Sequence, residues 1–349
     1  MSANIIGNQG RLHWGLRMSV WRKIIVLLAA MLSLSAPVAA LAGAKLQKVT
    51  FGLDWRAEAE YGGYYQAVAT GIYRKYGLDV TIRQGGPEVN NAQLLLAGRL
   101  DFDITSNGFL AFNFVHEHIP FVAVAAIFQK DPDILLAHRS TGETSFASLR
   151  GRPIAISADT RASWWLFLKH KYHYSDSQIR PYDFNLAPFF VNKKLAVQGY
   201  ATSEPFLVKQ KTGHFPVVLS LSKAGFDGYA QLITTSDQLV QKHPDLVRRF
   251  IEASQEGWKS YLNGNPAPAF AAIRQANPDM SMALLKFGYD TLKTQGIVQS
   301  GDALTQGIGA MSPARWQSFY DQMQKSGLYP KGFDWRAAFT TQFVTPGKP

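Results

Sequence analysis

Asp54-Trp55-Arg56-Ala57-Glu58-Ala59-Glu60-Tyr61-Gly62-Gly63-Tyr64-Tyr65-Gln66 leaves a strand-like run at 49–53 and enters a helix-like one at 64–76. A first strand that hands over to a helix in this way reads as the start of an open α/β sheet, whose strand ends look into a crevice. Indole and phenol rings gathered at such a point suit a flat solute with polar edges.

Outward from this stretch, strand-like segments at 78–83, 102–105 and 121–128 alternate with helix-like ones at 89–97 and 110–117. Alternation of this kind predicts parallel strands joined by helical crossovers. A strand at 134–138 leads into a polar stretch, 139–145, that reads as a crossing. A second alternating unit then runs through 153–157, 162–171, 189–194, 196–200, 204–211 and 217–221, and the chain returns through 229–234. Residues 138–231 therefore read as an inserted lobe, with 45–137 and 232–349 making the other. From 236 to 328 the pattern is helical, and Leu246, Phe250, Ala253, Trp258 and Leu262 lie near one face, so this helix is expected to pack on the first lobe.

Arg22 and Lys23 precede an apolar run from Ile24 to about Leu34, and Pro37-Val38-Ala39-Ala40-Leu41-Ala42-Gly43-Ala44 offers small-residue cleavage sites. Residues 1–44 thus read as a signal peptide, because the apolar run is well short of the ~20 residues a bilayer needs. Met18 opens a more conventional leader than Met1. A free periplasmic protein is the expectation. The chain has no cysteine, which argues against a lipid anchor, disulfides, thiolate metal sites and cysteine nucleophiles. The formal charge is +11; four of the 36 basic residues and none of the 25 acids fall in the leader, which leaves +7. That charge is scattered, without a Lys/Arg run, so a solvated surface is expected and nucleic-acid binding is not.

The runs Phe51-Gly52-Leu53-Asp54-Trp55, Gly63-Tyr64-Tyr65-Gln66-Ala67, Gly71-Ile72-Tyr73, Tyr76-Gly77-Leu78-Asp79-Val80 and Gly85-Gly86-Pro87 resemble the substrate-binding proteins of bacterial ABC importers. Gln198-Gly199-Tyr200-Ala201-Thr202-Ser203-Glu204-Pro205 and Gly225-Phe226-Asp227-Gly228-Tyr229 extend the resemblance over the mature chain. It is nearest to the group related to thiamine-pyrimidine precursor synthesis and binding, with sulfonate and taurine binders as neighbours. The resemblance implies an α/β, two-lobe periplasmic binding protein of type II. Each lobe would be a mainly parallel sheet flanked by helices, and two crossing segments would let the lobes close on a solute. It also implies a monomer that needs no cofactor and delivers its solute to an inner-membrane permease and its ATPase. The same group includes pyrimidine-forming enzymes with a cofactor-bearing Lys, a donor His four residues later, iron and a cysteine-rich motif. This chain has Thr105 and Phe109 at those two places and no cysteine, so the enzyme reading is disfavoured.

Strand-end loops carry the candidate contacts. Trp55 is expected to stack a heteroaromatic ring, and Asp54 either orients a ring amine or fixes its loop. Tyr61 and Tyr65, four apart, share a helical face and are directed to the cleft, leaving Tyr64 for the core. Gly85-Gly86-Pro87 lets backbone approach closely before a helix N-terminus that favours an anion, or else makes a plain tight turn. Ser106 and Asn107 cap the next helix or contact the solute. In the second lobe the candidates are Asp159, Thr202 and Glu204. The Glu204 carboxylate either accepts paired hydrogen bonds from an aminopyrimidine or sits in a first helical turn for the dipole alone. Trp164 and Trp165 point about 100° apart, so one of them is core. Tyr229 closes over the solute or packs at the hinge. His116 and His118 sit at a helix end without further ligands, so no metal is expected.

Overall fold

The computed structural model describes residues 45–87 and 89–344; residues 1–44, where the leader is expected, lie outside them. Ten strands are described: β1 (Gln47–Gly52), β2 (Leu78–Arg83), β3 (Phe102–Asn107), β4 (Phe121–Phe128), β5 (Asp133–Ala137), β6 (Ile154–Ile156), β7 (Ile179–Pro181), β8 (Ala196–Tyr200), β9 (Val217–Ser220) and β10 (Ala230–Ser236). They form two five-stranded sheets, ordered β2-β1-β3-β10-β4 and β7-β6-β8-β5-β9. In the first, β1 runs parallel to β2 and β3, while β10 lies antiparallel between β3 and β4. The second repeats the plan, with β6 parallel to β7 and β8 and with β5 antiparallel between β8 and β9. Each sheet therefore receives, as its antiparallel member, the strand that follows a crossing.

This moves one expected boundary. The strand expected to end the first lobe is β5, and it pairs with the second sheet, Ile134 opposite Gly199 and Leu136 opposite Val197. An apolar run fixes that a segment is a strand but not which sheet takes it; tertiary pairing makes that choice. The two crossings thus fall at 129–132 and 222–229, and the stretch expected to cross holds a short turn, Arg139–Thr141, within the second half. Strand β7 also escapes sequence reading, being three residues long and ending on Pro181.

Arg315, on the helix Pro313–Lys325, holds the two crossings together. Its guanidinium donates to the Gln129 carbonyl and, at 3.4 Å, to the Gly228 carbonyl, and it lies 4.3 Å over the Tyr229 ring.

The first sheet is covered by the helix Pro244–Asn263, whose Leu246, Phe250, Ala253, Trp258 and Leu262 are all buried. Phe250 stacks on Phe102 with centroids 4.0 Å apart and planes 10° from parallel. Beside it packs the short helix Gly62–Ala69, and the helix expected over 64–76 stops there because Gly71 takes a left-handed φ of 73° before Ile72–Lys75. The Gly62-Gly63 pair has a packing cause: a Cβ on Gly63 would lie 2.2 Å from the Trp258 ring. Close approach here seats the turn that carries Tyr61. Gly63→Ala is expected to cost ~1–3 kcal/mol through overpacking, read as a lower denaturation midpoint; an unchanged midpoint would contradict this packing.

Candidate functional site

The ends of β1 and β3 in the first half face the start of β5 and the ends of β6 and β8 in the second, around a cavity of about 540 Å³. The halves touch at its margins. Thr202 Oγ1 reaches Glu60 Oε2 at 3.4 Å, and Asn113 Nδ2 donates to the Ala162 carbonyl at 3.3 Å. At a third point the Trp55 ring meets Phe184 from the second half, centroids 4.2 Å apart and planes at 50°. Phe184 has φ +65°, a left-handed conformation that a bulky side chain adopts only under strain. Strain of this kind gathers at ligand clamps. It places an aromatic ring across the cleft.

On the floor of the first half, Asp54 organises the loops. Its Oδ1 accepts from the Tyr61 hydroxyl at 2.7 Å and from Gln231 Nε2 at 3.3 Å, and its Oδ2 accepts from the Ser106 hydroxyl at 2.6 Å. One carboxylate thereby joins the loop after β1, the turn Ala59–Tyr61, β3 and β10. Burial pushes its pKa up, while hydrogen bonds from Ser106, Tyr61 and Gln231 pull it back. Gln231 itself takes φ +48° within β10. Its Oε1 is buried in the cavity wall without a hydrogen-bond partner among the described residues, and so is Thr105 Oγ1 on the neighbouring β3.

Around this hub the cavity is acidic. Asp54, Glu58, Glu60, Asp103, Asp133, Asp159 and Glu204 line it, and no Lys, Arg or His is among the described lining residues. Burial pushes Glu58 well up, reinforced by the charges of Glu60 and Glu204. Burial, with a contribution from Glu204, pushes Glu60 up to about 7. Asp103 is raised by burial and by Asp54, and Asn91 Nδ2 donates to its Oδ1 at 2.7 Å. Behind the wall Asp131 is pushed by burial up to about 6, and its neighbour Asp133 is raised by burial and by Asp131. Among the described residues, no three His, Asp or Glu side chains converge as metal ligands do.

Of the residues expected at the site, Asp54, Trp55, Tyr61, Gly86, Pro87, Ser106, Asn107, Asp159 and Glu204 line the cavity. Tyr65, Gly85, Thr202 and Tyr229 do not. Tyr61 ends the turn before the helix, which starts at Gly62, so the four-residue spacing does not put Tyr65 beside it; Tyr65 packs in the core. Gly85 is a packing glycine: a Cβ there would meet the Leu53 carbonyl at 2.2 Å, and its N–H bonds the Trp55 carbonyl. The following helix is Asn91–Leu96, capped by Asn90, so Gly86 and Pro87 belong to a loop ahead of it rather than to its N-terminus. Asn107 caps Gly108–His116, accepting the Leu110 N–H at 3.3 Å, whereas Ser106 serves Asp54. Thr202 is buried against Glu60. Tyr229 packs at the return crossing, where its hydroxyl donates to Asp302 and accepts the Ser312 N–H at 2.8 Å.

Glu204 stands in the first turn of its helix, where Oε2 accepts the Tyr200 N–H at 2.6 Å, and the residue lines the cavity. Trp164 lines the cavity, while Trp165 turns away and donates to Asp176 at 2.8 Å. Sequence reading passed over Glu58, Glu60, Asp103, Asp133, Tyr182, Phe184 and Gln231. The first two stand in the opening stretch, three acids among thirteen residues with one base. That local excess was the available signal.

A family model described as NMT1/THI5 like matches residues 58–269, more than half of the chain. The riboflavin-binding protein RibY of Chloroflexus aurantiacus is 25% identical over 310 residues, covering 86% of this chain and 87% of RibY. Among solved structures, the periplasmic aliphatic sulphonate binding protein SsuA from Escherichia coli superposes with TM-score 0.61 at 13% identity, over 86% of this chain and 94% of SsuA. The alkanesulfonate-binding protein SsuA from Xanthomonas axonopodis pv. citri, bound to MOPS, does so with TM-score 0.59 at 14% identity, over 84% and 98%. The fold is that of the periplasmic binding proteins.

The raised carboxyls fix a pH dependence. A folded pKa of about 7 for Glu60 and about 6 for Asp131, above ordinary values of 4.5 and 3.8, favours the folded state below pH ~4, and this contribution is lost as pH rises through 6–7. Ligand-free protein is expected to melt a few degrees lower at pH 8 than at pH 5, on the order of 2–4 °C per kcal/mol, with a smaller difference in Glu60→Gln. Equal slopes for the two proteins would contradict the role given to Glu60.

Proposed function

Because the chain belongs to the NMT1/THI5-like family, we propose that it is the periplasmic solute-binding component of an ABC importer and captures a small heteroaromatic solute for its permease. A thiamine-precursor pyrimidine, or a ring of similar size and polarity, is the solute class. The carrying observation is the make-up of the cavity: aromatic edges at Trp55, Phe184, Tyr61 and Tyr182 above a wall of hydrogen-bond acceptors. An aminopyrimidine offers a flat face to the first and N–H donors to the second. Glu204 and Glu60, on opposite halves, are placed to accept them.

The topology supports capture by closure of two halves. With hinges at 129–132 and 222–229, an open form takes the solute on one half, and closing brings Trp55 against Phe184. Contacts made only in the closed form shift the population toward it. Ring stacking of ~0.5–1.5 kcal/mol per pair, together with charge-assisted hydrogen bonds of ~1.5–3 kcal/mol each, suffices for affinity near micromolar, about −8 kcal/mol.

A second reading comes from the RibY likeness: a flavin also presents a flat ring system with a polar edge, and the likeness spans 86% of this chain. The sulfonate or taurine reading, drawn from the SsuA neighbours, is weaker, because an anion would meet seven carboxyls and no described basic side chain in the wall. A pyrimidine-forming enzyme is weaker still, since Thr105 stands where a cofactor Lys is needed and Phe109 packs against Tyr329 in the core.

Calorimetry with hydroxymethylpyrimidine, its formylamino relative, riboflavin, taurine and alkanesulfonates discriminates these readings. Micromolar or tighter binding of one of the ring compounds is expected, weakened at least about tenfold, ~1.4 kcal/mol, by Glu204→Gln. Tight sulfonate binding with silent rings would overturn the solute class.

A further inference from the structure

Seven carboxyls line one cavity, two buried oxygens without a partner among the described residues lie in its wall, and no described Lys, Arg or His in the wall offsets the acids. The first half contributes Asp54, Glu58, Glu60 and Asp103; the second contributes Asp133, Asp159 and Glu204. None of the seven takes part in any of the six ion pairs among the described residues. The other titratable groups among the described residues of the wall are the phenols of Tyr61, Tyr182 and Tyr200, all raised by burial and therefore uncharged. Gln231 Oε1 and Thr105 Oγ1 are independent pointers to a ligand. Gln231 is 1% exposed and Thr105 4%, both line the cavity, and neither oxygen has a partner among the described residues. Gln231 is moreover held in a left-handed backbone conformation within a strand, with its Nε2 on Asp54, which leaves Oε1 free to accept.

We propose that this wall selects a flat organic cation, a ring carrying a positive nitrogen, over neutral and anionic rings of the same shape. The inference rests on reading the cavity as a solute site and adds the charge class of the solute. Its physical basis is mutual repulsion: Glu58, Glu60 and Glu204, all raised by burial and the first two also by the charge of Glu204, resist ionising together unless a positive charge joins them. Without a cation, protons fill that role; Glu60 is pushed up to about 7 by burial and by Glu204. A bound cation replaces those protons, so its uptake releases them and its affinity rises with pH through 6–7. The aromatic members serve the same ligand. Trp55 and Phe184 offer π-faces to a positively charged ring, an attraction that strengthens where water is excluded.

The test uses one ring in three charge states: 1-methylnicotinamide (cation), nicotinamide (neutral) and nicotinate (anion), titrated calorimetrically into the full protein at pH 5 and pH 8. Expected at pH 8 is binding of the cation at least about tenfold tighter than nicotinamide, with nicotinate weaker again. Cation affinity is expected to fall at least about fivefold at pH 5, and the heat at pH 7 to vary with buffer ionisation enthalpy as protons leave. Glu60→Gln, which keeps size and hydrogen bonding, should shrink the cation-to-neutral ratio toward one; if that variant fails to fold, the wild-type ratio and its pH dependence still decide. Equal or inverted preference, a pH-independent cation affinity, or no cation binding at millimolar concentration overturns the inference. If it is overturned while hydroxymethylpyrimidine or riboflavin binds, solute capture stands and only the charge class falls. Silence from every ring compound in both series removes the capture reading as well.

Discussion

Everything around the cavity depends on one carboxylate that accepts three side-chain hydrogen bonds. Asp54 takes Tyr61, Ser106 and Gln231 on its two oxygens and so ties its own loop and the turn after it to two strands far away in sequence. Hydrogen bonds to an ionised acceptor are about twice as strong as neutral ones, and here they fix where the first strand's loop, the Tyr61 turn and two central strands stand relative to one another. A negative charge is thereby anchored in the floor of the cavity. Its cost appears next door, where Asp103 is raised partly by Asp54. Glu58 and Glu60 meet the same problem, each raised by burial and by the charge of Glu204.

The strand framework was legible because its apolar runs are sharp: β2, β4 and β8 begin and end where the sequence pattern places them. What the pattern does not carry is pairing. Strand β5 has the composition of its neighbours, yet it belongs to the sheet on the far side of the crossing, because only tertiary contact decides where an antiparallel insertion goes. Site residues divide in the same way. Trp55, Ser106 and Glu204 were found because strand ends face the crevice, whatever the details of the loops. Tyr65 was misplaced by a small error in one helix start, Gly62, and Gly86 and Pro87, though they line the cavity, stand ahead of the next helix rather than at its N-terminus because that helix starts at Asn91. The acid wall lay open in the letters of residues 54–60 and 131–133 but acquires meaning only when two sheets bring it together. Phe184 and Gln231 carry no sequence signal at all, since a left-handed φ on these residue types is imposed by their surroundings.

Motion and electrostatics meet at the crossings. Arg315 lies over Tyr229 and donates to both crossing segments, so the two hinges are coupled through a single cation. Across the cavity the charges of Glu204 and Asp133 oppose those of Glu60 and Asp54. A positively charged or donor-rich solute removes that opposition.

The most direct measurement is a crystal structure of the protein purified without denaturation and carrying whatever solute it retains. Density for a flat solute between Trp55 and Glu204, with its donors on Glu60, Glu204 and Gln231 Oε1, is the expected result. A solute that turns an anionic group to these carboxyls, or one bound away from the cavity between the sheets, would contradict it.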